Sequence, residues 1–303
     1  MTMPERPPSS EDMAEIMPLS PARQALLQAR GHVGLLVGLF VLLVVMVSAI
    51  FAPIVAPHDP YVQEIATKLS PPVWQEGGDW AHILGTDGLG RDILSRLIYG
   101  ARVTLIAGVG AAIISGIIGT IIGMCGGYFG GRVDDFVVFL INVKLAMPGI
   151  LIALSLVSIF GGSLVTITLI LGLLFWDRFA VVARTTTQQL SKRDFITAAE
   201  VAGASSRWIL MREMLPNLMN QIIVVASLEM ALAILVEATL SFLGLGIQPP
   251  TPSWGLMISE GRTLMFAKPY LIMIPGIAIF ALVVAINLIG DGLRDITSPE
   301  GKG

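Results

Sequence analysis

Six mostly apolar stretches, each close to the roughly 20 residues that a helix needs to cross a bilayer, alternate along the chain with shorter polar segments. They run over residues 33–54, 101–127, 137–160, 164–183, 219–243 and 270–290 and predict six transmembrane helices. The first is too long for the apolar region of a secretory signal and five more follow it, which reads as an uncleaved anchor. Only Gly161, Gly162 and Ser163 separate the third stretch from the fourth. Two glycines and a serine suffice for a tight hairpin.

The polar segments set an orientation, because Lys and Arg concentrate on the cytoplasmic side of membrane proteins. With the N-terminus inside, the inner segments hold Arg6, Arg23, Arg30, Arg132, Arg178, Arg184, Lys192, Arg193, Arg207, Arg212, Arg294 and Lys302, twelve of the nineteen basic residues. The outer segments hold Lys68, Arg91, Arg96, Arg102, Arg262 and Lys268, and Lys144 lies within a span, close enough to its inner end to snorkel. Both termini are therefore expected in the cytoplasm, together with the loop 194–217. The expected divisions are a cytoplasmic tail (1–30), an anchor with its outer segment (31–100), a five-helix core (101–295) and a C-terminal tail (296–303).

Composition supports the membrane setting: 54% of residues are hydrophobic and 14% charged, where a soluble domain carries about 25% charged residues. The class is all-α and integral to the membrane. A lone cysteine, Cys125, excludes an intrachain disulfide framework. The net charge of −3 argues against a nucleic-acid partner, which demands concentrated positive charge.

The loop 194–217 is longer than a reversal of the chain requires. Asp194 is a candidate N-cap, Phe195 to Ala202 a short helix, and Gly203 the residue that ends it in a left-handed conformation. Ala198, Ala199 and Ala202 give this helix a small-residue face suited to close docking on another protein. A second helix, capped by Ser205 or Ser206, carries Trp208, Ile209 and Leu215 for packing on the bundle, and Pro216 marks the start of the fifth span.

Inside the spans, Glu229 and Glu237 stand out, because a carboxylate in lipid is costly unless it faces protein or water. Eight helical residues place them roughly 80° apart around the axis. They either line a translocation cavity or bond to neighbouring helices. Asp177 is expected in an interfacial ion pair beside Arg178 and Arg184. Pro148-Gly149 and Pro275-Gly276 are candidate bends, and the glycines 108, 110, 116, 119 and 123 of span two predict close helix packing. His32, His58 and His82 are too scattered in sequence to suggest a metal centre. No Gly-x-x-x-x-Gly-Lys-Ser/Thr stretch occurs, so the chain is expected to be no enzyme and to bind no cofactor.

Several ordered motifs carry a resemblance. Ala198-Ala199, Gly203 and Leu215-Pro216 resemble the coupling loop of permease subunits in bacterial ATP-binding-cassette importers, with Thr197 in place of the family glutamate and Glu213 in place of an isoleucine. The stretches His82-Ile-Leu-Gly-Thr-Asp87-Gly-Leu-Gly-Arg91-Asp92, Leu240-Ser241-Phe-Leu-Gly-Leu-Gly246 through Trp254-Gly255, and Asn287-Leu-Ile-Gly-Asp291-Gly-Leu-Arg294-Asp295 narrow this to the permeases for dipeptides, oligopeptides and nickel. Phe139 and Asn142 stand where that family has an arginine and an acid, and Val181 where it often has an arginine. An extra N-terminal span before the Gly-Thr-Asp segment resembles the C-type subunit. The resemblance implies a type I importer permease fold in the bacterial inner membrane. It further implies a pore shared with a B-type permease, two cytoplasmic ATPase subunits that hold ATP and magnesium, and an extracytoplasmic solute-binding protein. Ala198, Ala199, Gly203, Leu215 and Pro216 would couple to the ATPase. The alternatives are a carrier driven by an ion gradient and a membrane scaffold; neither needs such a coupling loop.

Overall fold

The computed structural model describes residues 30–297; most of the expected tails 1–30 and 296–303, namely 1–29 and 298–303 with Arg6, Arg23 and Lys302, lies outside the described residues. Ten helices organise the described residues: α1 (Val33–Ile50), α2 (Ile93–Phe129), α3 (Gly131–Leu145), α4 (Gly149–Phe160), α5 (Leu164–Leu174), α6 (Trp176–Leu190), α7 (Asp194–Val201), α8 (Leu215–Phe242), α9 (Trp254–Gly261) and α10 (Tyr270–Thr297). Single turns and 3₁₀ segments join them. Five helical units are long and apolar enough to cross a membrane, and a sixth crossing arises if the bent pair α3–α4 counts as one span.

That bend, 79° between α3 and α4, falls at Pro148, where the sequence predicts one. Proline lacks the N–H that a continuing helix would need, and its ring clashes with the carbonyl four residues back. Pro275, by contrast, lies inside α10, which runs unbroken from Tyr270 to Thr297. The fourth crossing, Leu164–Leu190, is interrupted at Phe175, whose φ of −105° and ψ of 18° separate α5 from α6.

The 37-residue α2 is the axis of the molecule. At 1.5 Å per residue it extends about 55 Å, well beyond a hydrocarbon core of about 30 Å. The sequence places its start near residue 101, but the helix begins at Ile93, capped by the Asp92 carboxylate accepting from the Ser95 N–H at 2.7 Å. One face of α2 is a seam of glycines laid on α6. A β-carbon on Gly119 would lie 2.2 Å from the Trp176 carbonyl oxygen, and one on Gly123 2.4 Å from that of Ala180. Only hydrogen side chains permit this approach, which confirms the packing role expected of the glycines.

Helices α1 and α10 pack along each other, with Gly38 against the Ala285 carbonyl. His32 caps α1 through Nδ1, which accepts from the Leu35 N–H at 3.1 Å, while its Nε2 lies 3.0 Å from Asp295 Oδ2. The start of α1 and the end of α10 therefore lie at the same end of the bundle. A core cluster around Ile234, Trp254, Leu282 and Ile286 joins α8, α9 and α10 to α2. A second, around Ile167, Leu171, Val157 and Leu240, seats α4 and α5. Many large apolar side chains on the outside are exposed, among them Phe40, Ile117, Phe136 and Phe280. In water such a surface would aggregate; against lipid or another apolar helix it is at home.

Between α1 and α2 the segment expected on the outer side folds around an ion network. Arg91 Nε donates to Asp87 Oδ2 at 2.7 Å and its Nη2 to Glu260 Oε1 at 2.9 Å, while Arg96 Nη1 donates to Asp87 and, at 2.7 Å, to Glu260 Oε2. Glu260 belongs to α9, so the network clamps the segment before α2 to the short helix after span five. Trp254 reinforces the clamp by donating its indole N–H to the Leu97 carbonyl at 2.8 Å.

Candidate functional site

The loop expected to couple forms the helix α7 and a turn that leads into α8. Asp194 is the first residue of α7 and Arg193 the N-cap, without a side-chain cap bond; the sequence reading of Asp194 as the cap is one residue late. Instead its carboxylate sits in the first turn, where the helix dipole favours negative charge. The end of α7 follows its sequence signal closely. Gly203 has a φ of +80°, its N–H donates to Glu200 O at 2.9 Å, and the Ala204 N–H reaches back to Ala199 O at 3.0 Å. This pair of bonds is a Schellman cap, and glycine enters its left-handed position without a β-carbon clash.

Three side chains hold α7 to the bundle. Ile196 is fully buried in a cluster with Met124 of α2, Phe179 of α6, and Ile209, Met214 and Leu218 beyond the turn. Ala199 is half-buried against the same cluster, and Glu200 Oε1 accepts from the Tyr128 hydroxyl at 3.2 Å at the end of α2. On the opposite face, Thr197, Ala198, Val201, Ala202 and Gly203 are exposed, Val201 by 85%. The small-residue face thus divides: Ala198 and Ala202 look outward, whereas Ala199 anchors. An exposed valine flanked by alanines and a glycine offers a compact apolar knob that costs little side-chain entropy to dock.

Beyond Gly203, Ser205 caps the next turn, its Oγ accepting from the Trp208 N–H at 3.4 Å. Ile209 is buried as expected; Trp208 is 46% exposed and does not pack inward as the sequence suggested. The chain then runs through a π-helical segment, Ile209–Met214, into α8. There the Leu215 N–H bonds to Leu210 O, five residues back. The widened turn makes room for Pro216, which has no N–H to give and would crowd the Arg212 carbonyl in a regular helix. Leu215 is half-buried and Pro216 exposed. The second half of the loop and the fifth crossing are consequently one continuous element, Ser206–Phe242.

Glu229 and Glu237 both lie inside the chain, each 1% exposed. Glu237 Oε1 accepts from the Ser241 hydroxyl at 2.8 Å and the Ser253 hydroxyl at 3.2 Å, which ties the C-terminal end of α8 to the cap of α9. Glu229 Oε1 lies 3.1 Å from Arg178 Nη1, close enough for charge pairing without the alignment of a hydrogen bond. Of the two alternatives read from sequence, this geometry matches bonding to neighbouring elements. Asp177 also differs from expectation: it pairs with Lys144, so Lys144 does not snorkel, while Arg184 bonds to Asp134, with Nη2 to Oδ2 at 2.6 Å. Sequence adjacency pointed to the wrong partners because α3 is folded against α6.

The histidines also differ from expectation. His32 pairs with Asp295, but His58 and His82 stack with ring centroids 4.6 Å apart, beside Asp92. They meet because the segment between α1 and α2 doubles back on itself, which sequence spacing conceals.

Comparison with known proteins agrees with this architecture. Residues 115–300 match the family described as binding-protein-dependent transport system inner membrane component, and residues 20–72 match the N-terminal transmembrane domain of oligopeptide transport permease C. The chain is 40% identical to a dipeptide transport system permease protein of Haemophilus influenzae, over 94% of this chain and 97% of that one. It is 42% identical to the dipeptide transport system permease protein of Escherichia coli K12 (94% and 95%) and 38% identical to a glutathione transport system permease protein of Pectobacterium atrosepticum (90% and 89%). Among solved structures, a chain of the methionine ATP-binding-cassette transporter MetNI in an inward-facing conformation superposes with a TM-score of 0.52 at 17% identity, covering 67% of this chain and 96% of that one. The helical bundle, its multiple membrane crossings and these matches together establish that the chain belongs to the family of binding-protein-dependent transport system inner membrane components, the multi-pass permease subunits of ATP-binding-cassette importers.

Proposed function

We propose that this chain is the C-type half of a heterodimeric peptide-importing pore, with both termini and α7 on the cytoplasmic side. The other half is a related B-type permease. Two separate subunits bind ATP and magnesium and hydrolyse the nucleotide, and an extracytoplasmic binding protein delivers the cargo. This chain binds no cofactor and catalyses no bond cleavage. The observation that carries the reading is α7: a Schellman-capped helix presenting Ala198, Val201 and Ala202 outward while Ile196 locks it to the ends of α2, α6 and α8. Closure of the ATPases would move this helix as a rigid knob and rock the crossings between two arrangements. Peptide as the cargo class rests on the names of the dipeptide and di/tripeptide permeases to which the chain is similar.

Mechanically, the coupling path runs along three routes from α7. Tyr128 links Glu200 to α2, Ile196 shares a buried cluster with Phe179 of α6, and the π segment continues into α8. The cluster of Lys144, Asp177, Arg178 and Glu229 connects α3, α6 and α8 deeper in the bundle. Arg178 is 61% exposed on its side chain and lies about 20 Å along the crossing from Leu164. An exposed guanidinium at such depth belongs beside protein or water rather than lipid. We place the pore and the B-type partner on that face.

The test is assembly. The chain is co-expressed with a B-type permease and the ATPase pair, and the ATPases retained on the purified permeases are measured. Ala198→Glu, which puts a charge on the exposed face of α7, is expected to lower their retention at least about tenfold while the two permeases stay together. Retention equal to wild type would remove α7 as the docking element. Uptake by the permeases without ATPases, abolished by an ionophore, would establish the gradient-driven carrier instead.

A further inference from the structure

We propose that His58, His82 and Asp92 form a binding site for a divalent transition-metal ion of the zinc type, at the end of α2 opposite the coupling helix. The three residues come from separate pieces of the outer segment. His58 follows the turn Ala52–Val55, His82 closes the 3₁₀ turn Trp80–His82, and Asp92 caps α2. Their donor atoms all lie within 4.8 Å of one another. His82 Nδ1 is 3.0 Å and His58 Nδ1 3.8 Å from the same carboxylate oxygen, Asp92 Oδ1. Ligands held 2.0–2.1 Å from a tetrahedral ion are spaced about 3.3 Å apart, so the two distances to Asp92 Oδ1 need adjustment of about half an ångström or less, while the spacing between the histidine donors, within 4.8 Å, closes by movement of the exposed His58 ring.

The surroundings prepare these donors. Asp92 is 2% exposed and its second oxygen, Oδ2, is already taken by the Ser95 N–H at 2.7 Å, which leaves Oδ1 as a monodentate ligand. The Ser95 hydroxyl oxygen in turn accepts from the His58 N–H at 3.0 Å. One buried serine thus fixes the backbone of the first imidazole and the orientation of the carboxylate, the outer-shell support that metal ligands need. Within the cluster, hydrogen bonding satisfies one imidazole: His82 Nδ1 bonds to Asp92 Oδ1, while His58 Nδ1, at 3.8 Å, makes no bond to it. An ion shared by both nitrogens and the oxygen gives each ring a partner. The His82 ring is buried and the His58 side chain 40% exposed, which opens an entry path and a fourth position for water. Two imidazoles with one carboxylate select zinc, copper(II) or nickel over magnesium or calcium, which prefer oxygen ligands. Binding would clip the outer segment to α2 and stabilise that end of the molecule by mass action.

The purified full-length chain, carrying no polyhistidine tag and held in lipid nanodiscs, is dialysed against buffered Zn²⁺ and analysed for bound metal; Co²⁺ provides a second readout through its visible ligand-field bands. The wild type is expected to hold one equivalent, to show the bands of a low-coordinate Co²⁺ site, and to unfold at a higher temperature with Zn²⁺ present. His58→Ala, at an exposed position where the fold tolerates change, is expected to bind Zn²⁺ roughly tenfold or more weakly and to lose the thermal shift. His82→Gln should do the same, whereas Cys125→Ser should bind as wild type. No bound equivalent in the wild type, or equal affinity in His58→Ala, overturns the proposal.

Discussion

Glu237 and Glu229 solve one problem, a carboxylate inside a membrane-crossing helix, with different partners. Glu237 gathers two serine hydroxyls on one oxygen, so Glu237→Gln, which keeps a carbonyl oxygen, should preserve the fold, whereas Glu237→Leu should destabilise by about 1–3 kcal/mol by orphaning both donors; thermal unfolding in detergent compares them. Glu229 depends on Arg178. Removing the arginine alone leaves a buried unpaired charge, so Arg178→Met should unfold at a lower temperature than the double variant Arg178→Met, Glu229→Met. In the outer segment, Asp87 has its carboxyl held below the ordinary value of 3.8: burial opposes ionisation, but the Arg96 charge, the Leu89 N–H and Arg91 outweigh it. A depressed pKa contributes stability that is complete above the unfolded value and lost as pH falls through the folded one. Protection of the amides around residues 85–96 against hydrogen exchange, taken relative to the intrinsic rate at each pH, should therefore fall below about pH 4 in the wild type, and Asp87→Asn should abolish that fall. Glu229 and Glu237 were legible as unusual from their place in apolar runs. Their distant partners were not, because Arg178 and Ser253 arrive from other stretches of chain.

At the scale of elements, local signals were readable and distant ones were not. The end of α7 could be read from sequence because Gly203 closes a Schellman cap with residues only a few positions away. The bend at Pro148 likewise follows from one residue's missing N–H. The early start of α2 escaped notice because Arg96, a charged residue that argues against a buried helix, is neutralised there by Asp87 and Glu260. The π segment before Pro216 was hidden too, since only the continuous helix shows why a proline needs a wider turn. Two substitutions test these elements. Gly203→Ala should lower stability by about 1 kcal/mol, the cost of a side chain in the left-handed region, with α7 otherwise intact by hydrogen exchange. Gly119→Leu should do far more, because the Trp176 carbonyl leaves no space for even a β-carbon; the expected result is loss of the monodisperse, folded permease on size-exclusion chromatography.

For the whole molecule, the membrane class was plain from composition and the permease family from motifs, while the packing of the crossings on one another needed the fold. The bundle is stiff where α2 and α6 interlock through glycines and jointed at Pro148, Phe175 and the π segment. In the proposed mechanism such a body would transmit motion from α7 without chemistry of its own. The measurement that bears most directly on this account is binding-protein-stimulated ATP hydrolysis and peptide uptake in proteoliposomes holding this chain, a B-type permease and the ATPase pair. Wild type is compared with Ala198→Glu and with Tyr128→Phe, which cuts the link from Glu200 to α2. The account predicts that Ala198→Glu abolishes both activities and that Tyr128→Phe lowers uptake per ATP hydrolysed, with both variants folded. Uptake that survives Ala198→Glu undiminished, or proceeds with no ATPase present, would contradict it.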